Sequence, residues 1–275
     1  MMPDDAPAAT PAQGWALLIE YDGAGFVGWQ RQRGGLSIQE TIERAASRLA
    51  GGMHVASIVA GRTDAGVHAA GQVAQILLPP RAAPLPAERL RAALNHHLRP
   101  HRIAILMAAP VPPGWSARFS AIGREYRYLI LDRPARPALA EGRVWHVAHR
   151  LDVASMVEAA RALLGRHDFS SFRASACQAK SPVRTLERRD VCRVGDGIEI
   201  SAAARSFLHH QVRNMVGTLA LVGAGKWRPA DVSAALAACD RRAAGPTAPP
   251  QGLFLTRVRY PEDPFAAGAD APAPT

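Results

Sequence analysis

The feature that most constrains the fold is the order in which strand-like and helix-like runs alternate. Trp15–Tyr21 (WALLIEY) is a strand-like apolar run, followed by a glycine-rich loop, DGAGFVGWQRQ. Ser37, with Glu40 three residues on, has the signature of a capping box. A helix from there to about Ala50 puts Ile38, Ile42, Ala45, Ala46 and Leu49 on one face. Ser57–Ala60 and Val73–Leu78 read as strands, Pro86–Leu98 as a second helix and Ile103–Ala108 as a closing strand. Strand, helix, strand, strand, helix, strand is a split βαβ, ferredoxin-like unit.

Past Pro112-Pro113-Gly114 the pattern begins again. Gly123–Leu131 (GREYRYLIL) alternates as a strand, and residues 132–150 form a Pro- and Arg-rich irregular insertion. Val153–Leu164 is an amphipathic helix, and His167–Ser175 follows as strand or loop. Thr185–Val194 and Gly197–Ala204 make a hairpin around Gly195-Asp196-Gly197. A long helix covers about Phe207–Val222, a short one Pro229–Cys239, and Gly252–Tyr260 returns as a strand. The expected architecture is α/β (α+β): two ferredoxin-like, RRM-like lobes sharing a mostly antiparallel central sheet flanked by helices, with a cleft between them. The lobes are expected over 14–114 and 115–261. The Ala-, Pro- and Asp-rich segments 1–13 and 262–275 are expected as disordered tails.

Charge separates the halves. Through Gly114 ten arginines face eight acids, whereas Trp115–Glu262 holds 23 basic residues against 13 acids, within a net charge of +10. A surplus confined to one half suits a polyanionic partner. Nearly all of it is arginine, whose guanidinium fork matches phosphate. No apolar run approaches the ~20 residues of a membrane helix, and the acidic, Pro-containing N-terminus does not resemble a signal peptide. The expected compartment is the cytoplasm. Cys177, Cys192 and Cys239 lie too far apart for a zinc motif and are expected as reduced, buried thiols.

The densest polar signal is Gly61–Ala69, GRTDAGVHA. Arg62 and Asp64, two apart, share a face in extended chain, and a neighbouring cation favours the ionised carboxylate. Gly66 permits a tight turn or a close approach. A turn aspartate can also do no more than bond its own backbone. His209 and His210 invite a metal, but adjacent residues on a helix point about 100° apart, so no metal is expected. HRLD at His149–Asp152 ends at the start of a helix, where Asp152 is expected as its N-cap.

Six stretches in order carry a resemblance to the TruA family of tRNA pseudouridine synthases: Glu20–Gln32, GRTDAGVHA, Phe119–Tyr128 (FSAIGREYRY), His167–Phe172 (HDFSSF), Phe207–Gly217 (FLHHQVRNMVG) and Ala248–Leu255 (APPQGLFL). The resemblance spans roughly Trp15–Tyr260. It implies isomerisation of uridine to pseudouridine at positions 38, 39 and 40 of the tRNA anticodon stem-loop, by a homodimer, without cofactor or metal. It implies Asp64 as the nucleophile, attacking sugar or base or acting by way of a glycal. It implies Arg62 pairing with Asp64 and holding the place of the extruded nucleotide, Tyr126 against the uracil, and Arg213 as a ligand of Asp64 or of substrate. Tyr128 is expected to be packing. HRLD matches the signature of a different pseudouridine synthase family, the RluA type, but lacks the Thr-Ser-Gly that follows there.

Two other functions are compatible with the pattern. A non-catalytic RNA-binding protein with two RRM-like lobes would carry RNP-type aromatics on its sheet, and no such stretch is present. A hydrolase with an aspartyl nucleophile would need a second carboxylate, for which Glu20 or Asp22 are the candidates.

Overall fold

The computed structural model describes residues 12–80, 83 and 85–266. The first half supplies β1 (Gln13–Tyr21), α1 (Ile38–Leu49), β2 (Ser57–Val59), β3 (His68–Leu78), α2 (Ala87–Leu98) and β4 (Ile103–Val111). The second supplies β5 (Gly123–Asp132), β6 (Trp145–Val147), α3 (Val153–Arg161), β7 (Gly165–Asp168), β8 (Val183–Val194), β9 (Gly197–Ala204), α4 (Gln211–Gly223), α5 (Pro229–Ala237) and β10 (Leu253–Arg259).

All ten strands join one sheet in the order β4-β1-β3-β10-β5-β9-β8-β7, with β2 on β3 and β6 on β5. The order β4-β1-β3-β2 in the first half recurs as β10-β5-β9-β8 in the second, so the repeated element order is also a repeated topology. β10–β3 and β5–β6 are parallel; the other pairings are antiparallel. The halves meet where β10 pairs with the first residues of β3, Phe254 with His68 and Leu255 with Ala69. Farther along the same edge β2 takes over, pairing Ser57 with Ile76 and Val59 with Ala74.

The helices follow their apolar stripes. Ser37 accepts the Glu40 N–H at 3.1 Å and caps α1, whose Ile38, Ile42, Ala45 and Ala46 are buried. Leu90, Leu94 and Leu98 bury the inner face of α2, each contributing about 1.5–3 kcal/mol. α4 is buried nearly all round, as a helix enclosed in a core must be. No described helix is long and apolar enough to cross a membrane.

Four details of the fold differ from expectation, and so do the cysteines: Cys192 and Cys239 are exposed and Cys177 is only partly buried, where buried thiols are expected. β3 begins at His68 and not Val73, because His68-Ala69-Ala70-Gly71 has little strand propensity of its own and is recruited by pairing with β10. α4 begins at Gln211 and not Phe207, because His210 is left-handed, at φ 62° and ψ 4°. The 132–150 insertion contributes the short strand β6, which lies along β5. Residues 1–11 and 267–275 of the expected tails lie outside the described residues, but Phe265, also placed in a tail, is buried in the core. Asp152 does cap α3, accepting the N–H groups of Ala154 and Ser155 at 2.9 and 3.3 Å.

Candidate active site

The β2–β3 connection, residues 60–67, carries Asp64 and is fastened at both ends. Thr63 is buried and its hydroxyl bonds the Tyr21 phenol at 2.7 Å; Gln72 of β3 donates to the Gly61 carbonyl at 2.7 Å. From the glycine-rich loop, the Trp29 N–H reaches the Thr63 carbonyl at 3.0 Å. Gly28 makes that approach possible: at φ +101°, a Cβ on it would stand 2.8 Å from the Thr63 carbonyl oxygen. Asp64 accepts the Val67 N–H on its own carbonyl at 3.2 Å, which leaves the carboxylate free to face outward.

Three basic side chains converge on that carboxylate, and Arg213 donates a hydrogen bond to it. Arg213 Nη1 lies 3.2 Å from Oδ2, His210 Nε2 lies 3.3 Å from Oδ2, and His209 Nε2 lies 3.3 Å from Oδ1. Arg213 is clamped in turn: its Nε donates to the Ala248 carbonyl at 2.8 Å, and its own carbonyl accepts the Ala248 N–H at 3.1 Å. The APPQG stretch is thus the rest on which the guanidinium lies. HDFSSF sets the depth of α4: Phe169 and Phe172 are fully buried, and Asn214 donates to the Phe172 carbonyl at 2.8 Å. Burial pulls His210 below the usual imidazole range, aided by the charges of His209, Arg213 and Arg241 and opposed by Asp64.

Tyr126 comes from β5, buried, with its ring edge-on to Phe207 at 5.1 Å. Burial raises its phenol well above the ordinary value, and the neighbouring Tyr21 and Asp64 raise it further. The group therefore meets a substrate as a neutral hydroxyl. Two residues before it, Arg124 is buried and donates to the carbonyls of Ala60, Ala121, Arg118 and Arg205, tying β2 to the start of β5 and the end of β9. Tyr128 is packing: fully buried, with its hydroxyl donating to the Pro249 carbonyl at 2.7 Å.

Asp64, Arg213 and Tyr126 come together; Arg62 stands apart. Thr63 turns inward while Arg62 and Asp64 turn outward, as alternation requires, yet Arg62 is exposed and makes no ion pair with Asp64 among the described residues. The cation beside Asp64 comes from α4, 149 positions on, which no local spacing could show. The geometric ground for setting the two histidines apart does not apply, for a related reason. They precede the helix, and the left-handed turn at His210 brings both rings to Asp64, 4.0 Å apart at their centroids. That turn costs about 1–2 kcal/mol for a residue with a Cβ, a strain of the kind found at working sites. Asp64, His209 and His210 offer a carboxylate and two imidazole nitrogens within 4.8 Å of one another, a donor set a transition metal could use, although Arg213 already occupies Oδ2.

Such a constellation can present a fixed anionic oxygen to an electrophilic carbon, with a neutral phenol nearby to lie against a ring or pass a proton. Of the second carboxylates a hydrolase would need, Asp22 is tied to Arg102, Arg143 and His68.

A family model described as tRNA pseudouridine synthase matches residues 17–120 and 159–261. The chain is 66% identical over 252 residues to a tRNA pseudouridine synthase A of Acidiphilium cryptum, covering 91% of this chain and 98% of that protein. It is 56% identical over 261 residues to one of Gluconobacter oxydans, 94% of each chain, and 58% identical over 249 residues to one of Rhodospirillum rubrum, 90% and 87%. With the fold, the guarded carboxylate and near-complete coverage in agreement, this chain belongs to the tRNA pseudouridine synthase A (TruA) family.

Proposed function

We propose that the protein isomerises uridine to pseudouridine at positions 38, 39 and 40 of the tRNA anticodon stem-loop, with Asp64 as the nucleophile. The observation that carries this reading is the Asp64 carboxylate at the junction of the two halves, held by Arg213, His209 and His210 beside the buried Tyr126 phenol. The reaction breaks the bond from N1 to the sugar, turns the uracil and joins C5 to the same sugar carbon. Atoms and electrons balance within the nucleotide, so the chemistry calls for no redox cofactor. Asp64 can open the sequence by attack on the sugar carbon, by attack on the ring, or by taking a sugar proton toward a glycal. The hydrogen on C5 leaves last, and Tyr126, neutral and close, can lie against the ring or relay that proton.

Reaching the base requires extruding it, at a cost of a few kcal/mol. Arg62, exposed beside the catalytic carboxylate, is proposed to fill the vacated place in the RNA. The segment 14–114 is proposed as the lobe that carries the catalytic loop and 115–261 as the basic lobe that grips phosphates, in a cytoplasmic homodimer with one tRNA across both subunits. Release of tritium from C5-labelled uridine in tRNA tests the reading. Wild-type protein should release it, and Asp64→Asn should release none while binding tRNA within a few fold of wild type. An active Asp64→Asn variant overturns the assignment.

A further inference from the structure

We infer that His210 is a positioning residue that fixes Asp64 through Oδ2, that Oδ1 is the oxygen offered to the nucleotide, and that His209 is the group the nucleotide displaces. This rests on the isomerase reading above and deepens it by giving the two carboxylate oxygens and the two histidines different tasks.

The three basic side chains are unevenly placed. Oδ2 is held twice, by Arg213 and His210, whose side chains are 12% and 28% exposed; Oδ1 is held once, by His209, which is 43% exposed. A nucleotide arriving from solvent meets the His209 side first. Displacing one exposed imidazole frees Oδ1, whereas freeing Oδ2 would mean breaking a part-buried guanidinium hydrogen bond and a second contact, with His210 at 3.3 Å.

The backbone at His210 points the same way. It occupies the N-cap of α4 in a left-handed conformation, and its side chain makes no capping bond. Its carbonyl accepts the Asn214 N–H at 2.9 Å and starts the helix, so the backbone serves α4 and the ring does not. Glycine or asparagine would sit there with less strain. What the histidine adds is the 3.3 Å contact with Asp64. His209 is anchored through its carbonyl, which accepts the Ala174 N–H at 2.9 Å, so its ring can swing aside without disturbing the chain.

The test compares His210→Gly, His210→Gln and His209→Ala in the full chain, with kcat and KM read by tritium release from C5-labelled tRNA and stability read by thermal melting. Glycine relieves the left-handed strain, so His210→Gly should melt at or slightly above the wild-type temperature while kcat falls about tenfold or more and KM stays within about threefold. Gln, whose side-chain nitrogen reaches to about the position of Nε2, should restore kcat to within about threefold of wild type. His209→Ala should lower KM about threefold, since the nucleotide then has nothing to displace, and reduce kcat by less than His210→Gly does. Undiminished kcat in His210→Gly, or a larger kcat loss in His209→Ala than in His210→Gly, overturns the inference. Should wild-type protein release no tritium, the isomerase reading falls by itself. A crystal structure of His210→Gly then decides the present point: Asp64 turned from its wild-type position supports it, and an unmoved carboxylate overturns it.

Discussion

Replacing Arg213 by Lys keeps the charge and tests whether the geometry of the guanidinium matters. Arg213 makes two contacts from two different nitrogens, Nε to the Ala248 carbonyl at 2.8 Å and Nη1 to Asp64 Oδ2 at 3.2 Å. A lysine nitrogen ends near the position of the guanidinium carbon, one C–N bond of about 1.3 Å short of Nη1. The distance to Asp64 then grows from 3.2 Å to about 4.5 Å, too far for a hydrogen bond. At an effective dielectric of about 20, the charge–charge attraction falls from about 5 to about 3.7 kcal/mol, a loss of about 1.5 kcal/mol. The forfeited charge-assisted bond places the total at about 1.5–3 kcal/mol. If this attraction holds Asp64 in its reactive pose, kcat should fall about 10- to 150-fold. Stability should fall by the lost Asp64 contact and by about 1 kcal/mol more for the bond to a main-chain carbonyl, about 2.5–4 kcal/mol in all. Single-turnover tritium release gives the first quantity and urea unfolding the second. A lysine variant within about threefold of wild type would refute the reasoning, because the fork would then be irrelevant to Asp64. A loss of stability well beyond about 4 kcal/mol, more than the two contacts can supply, would show that Arg213 serves chiefly as a strut for the Ala248 segment.

Other expectations concern the scaffold and the RNA surface. Gly28→Ala should destabilise the protein by roughly 1–3 kcal/mol and slow turnover, since its Cβ would press on the Thr63 carbonyl next to Asp64, the proposed nucleophile; unfolding and kcat measured on one preparation check both. Asp132 is fully buried and held by Arg193 at 2.8 and 2.9 Å and by the Leu151 N–H at 2.9 Å, so Asp132→Ala should cost about 3–5 kcal/mol in urea unfolding. Burial alone would raise the pKa of this carboxyl, but those hydrogen bonds and the charges of Arg193 and Arg150 hold it below the ordinary value. Its stabilisation is therefore complete above the unfolded value, about 3.9, and is lost as pH falls through the lower folded value; acid unfolding of Asp132→Asn should lack that loss. Asp152→Asn should keep full turnover and nearly full stability, because Asn caps α3 almost as well. Binding of tRNA should weaken steeply with salt, as phosphates are neutralised; a flat dependence would argue against an extended basic surface.

Much of this fold was legible because each element carries its own period. The stripe of α1, the cap of α3, the alternation through β5 and the Gly195-Asp196 turn are local facts, and the repeated element order follows from them. The illegible parts depend on distant neighbours. The start of β3 needs β10, which lies nearly two hundred residues away in the chain. The partner of Asp64 needed α4, and a rule sound for residues inside a helix misjudged His209 and His210, which lie just ahead of one. Nothing in FLHHQ announces a left-handed residue, since histidine has a Cβ and no turn-forming tendency comparable to glycine or asparagine. The local signal in fact favours the earlier start, because Ser206 stands directly before Phe207, where an N-cap would be.

The repeated topology has an unequal result. The connection that holds Asp64 between β2 and β3 has its counterpart between β8 and β9, where two residues suffice, Gly195 and Asp196, and the carboxylate is spent on surface arginines, Arg133 at 3.1 Å and Arg150 at 3.5 Å. A scaffold built twice therefore houses one workshop and one blank wall. The blank half is free to specialise in steadying the other, so a chain with such a carboxylate at only one of its twin corners is, on the proposed reading, able to treat only one nucleotide at a time.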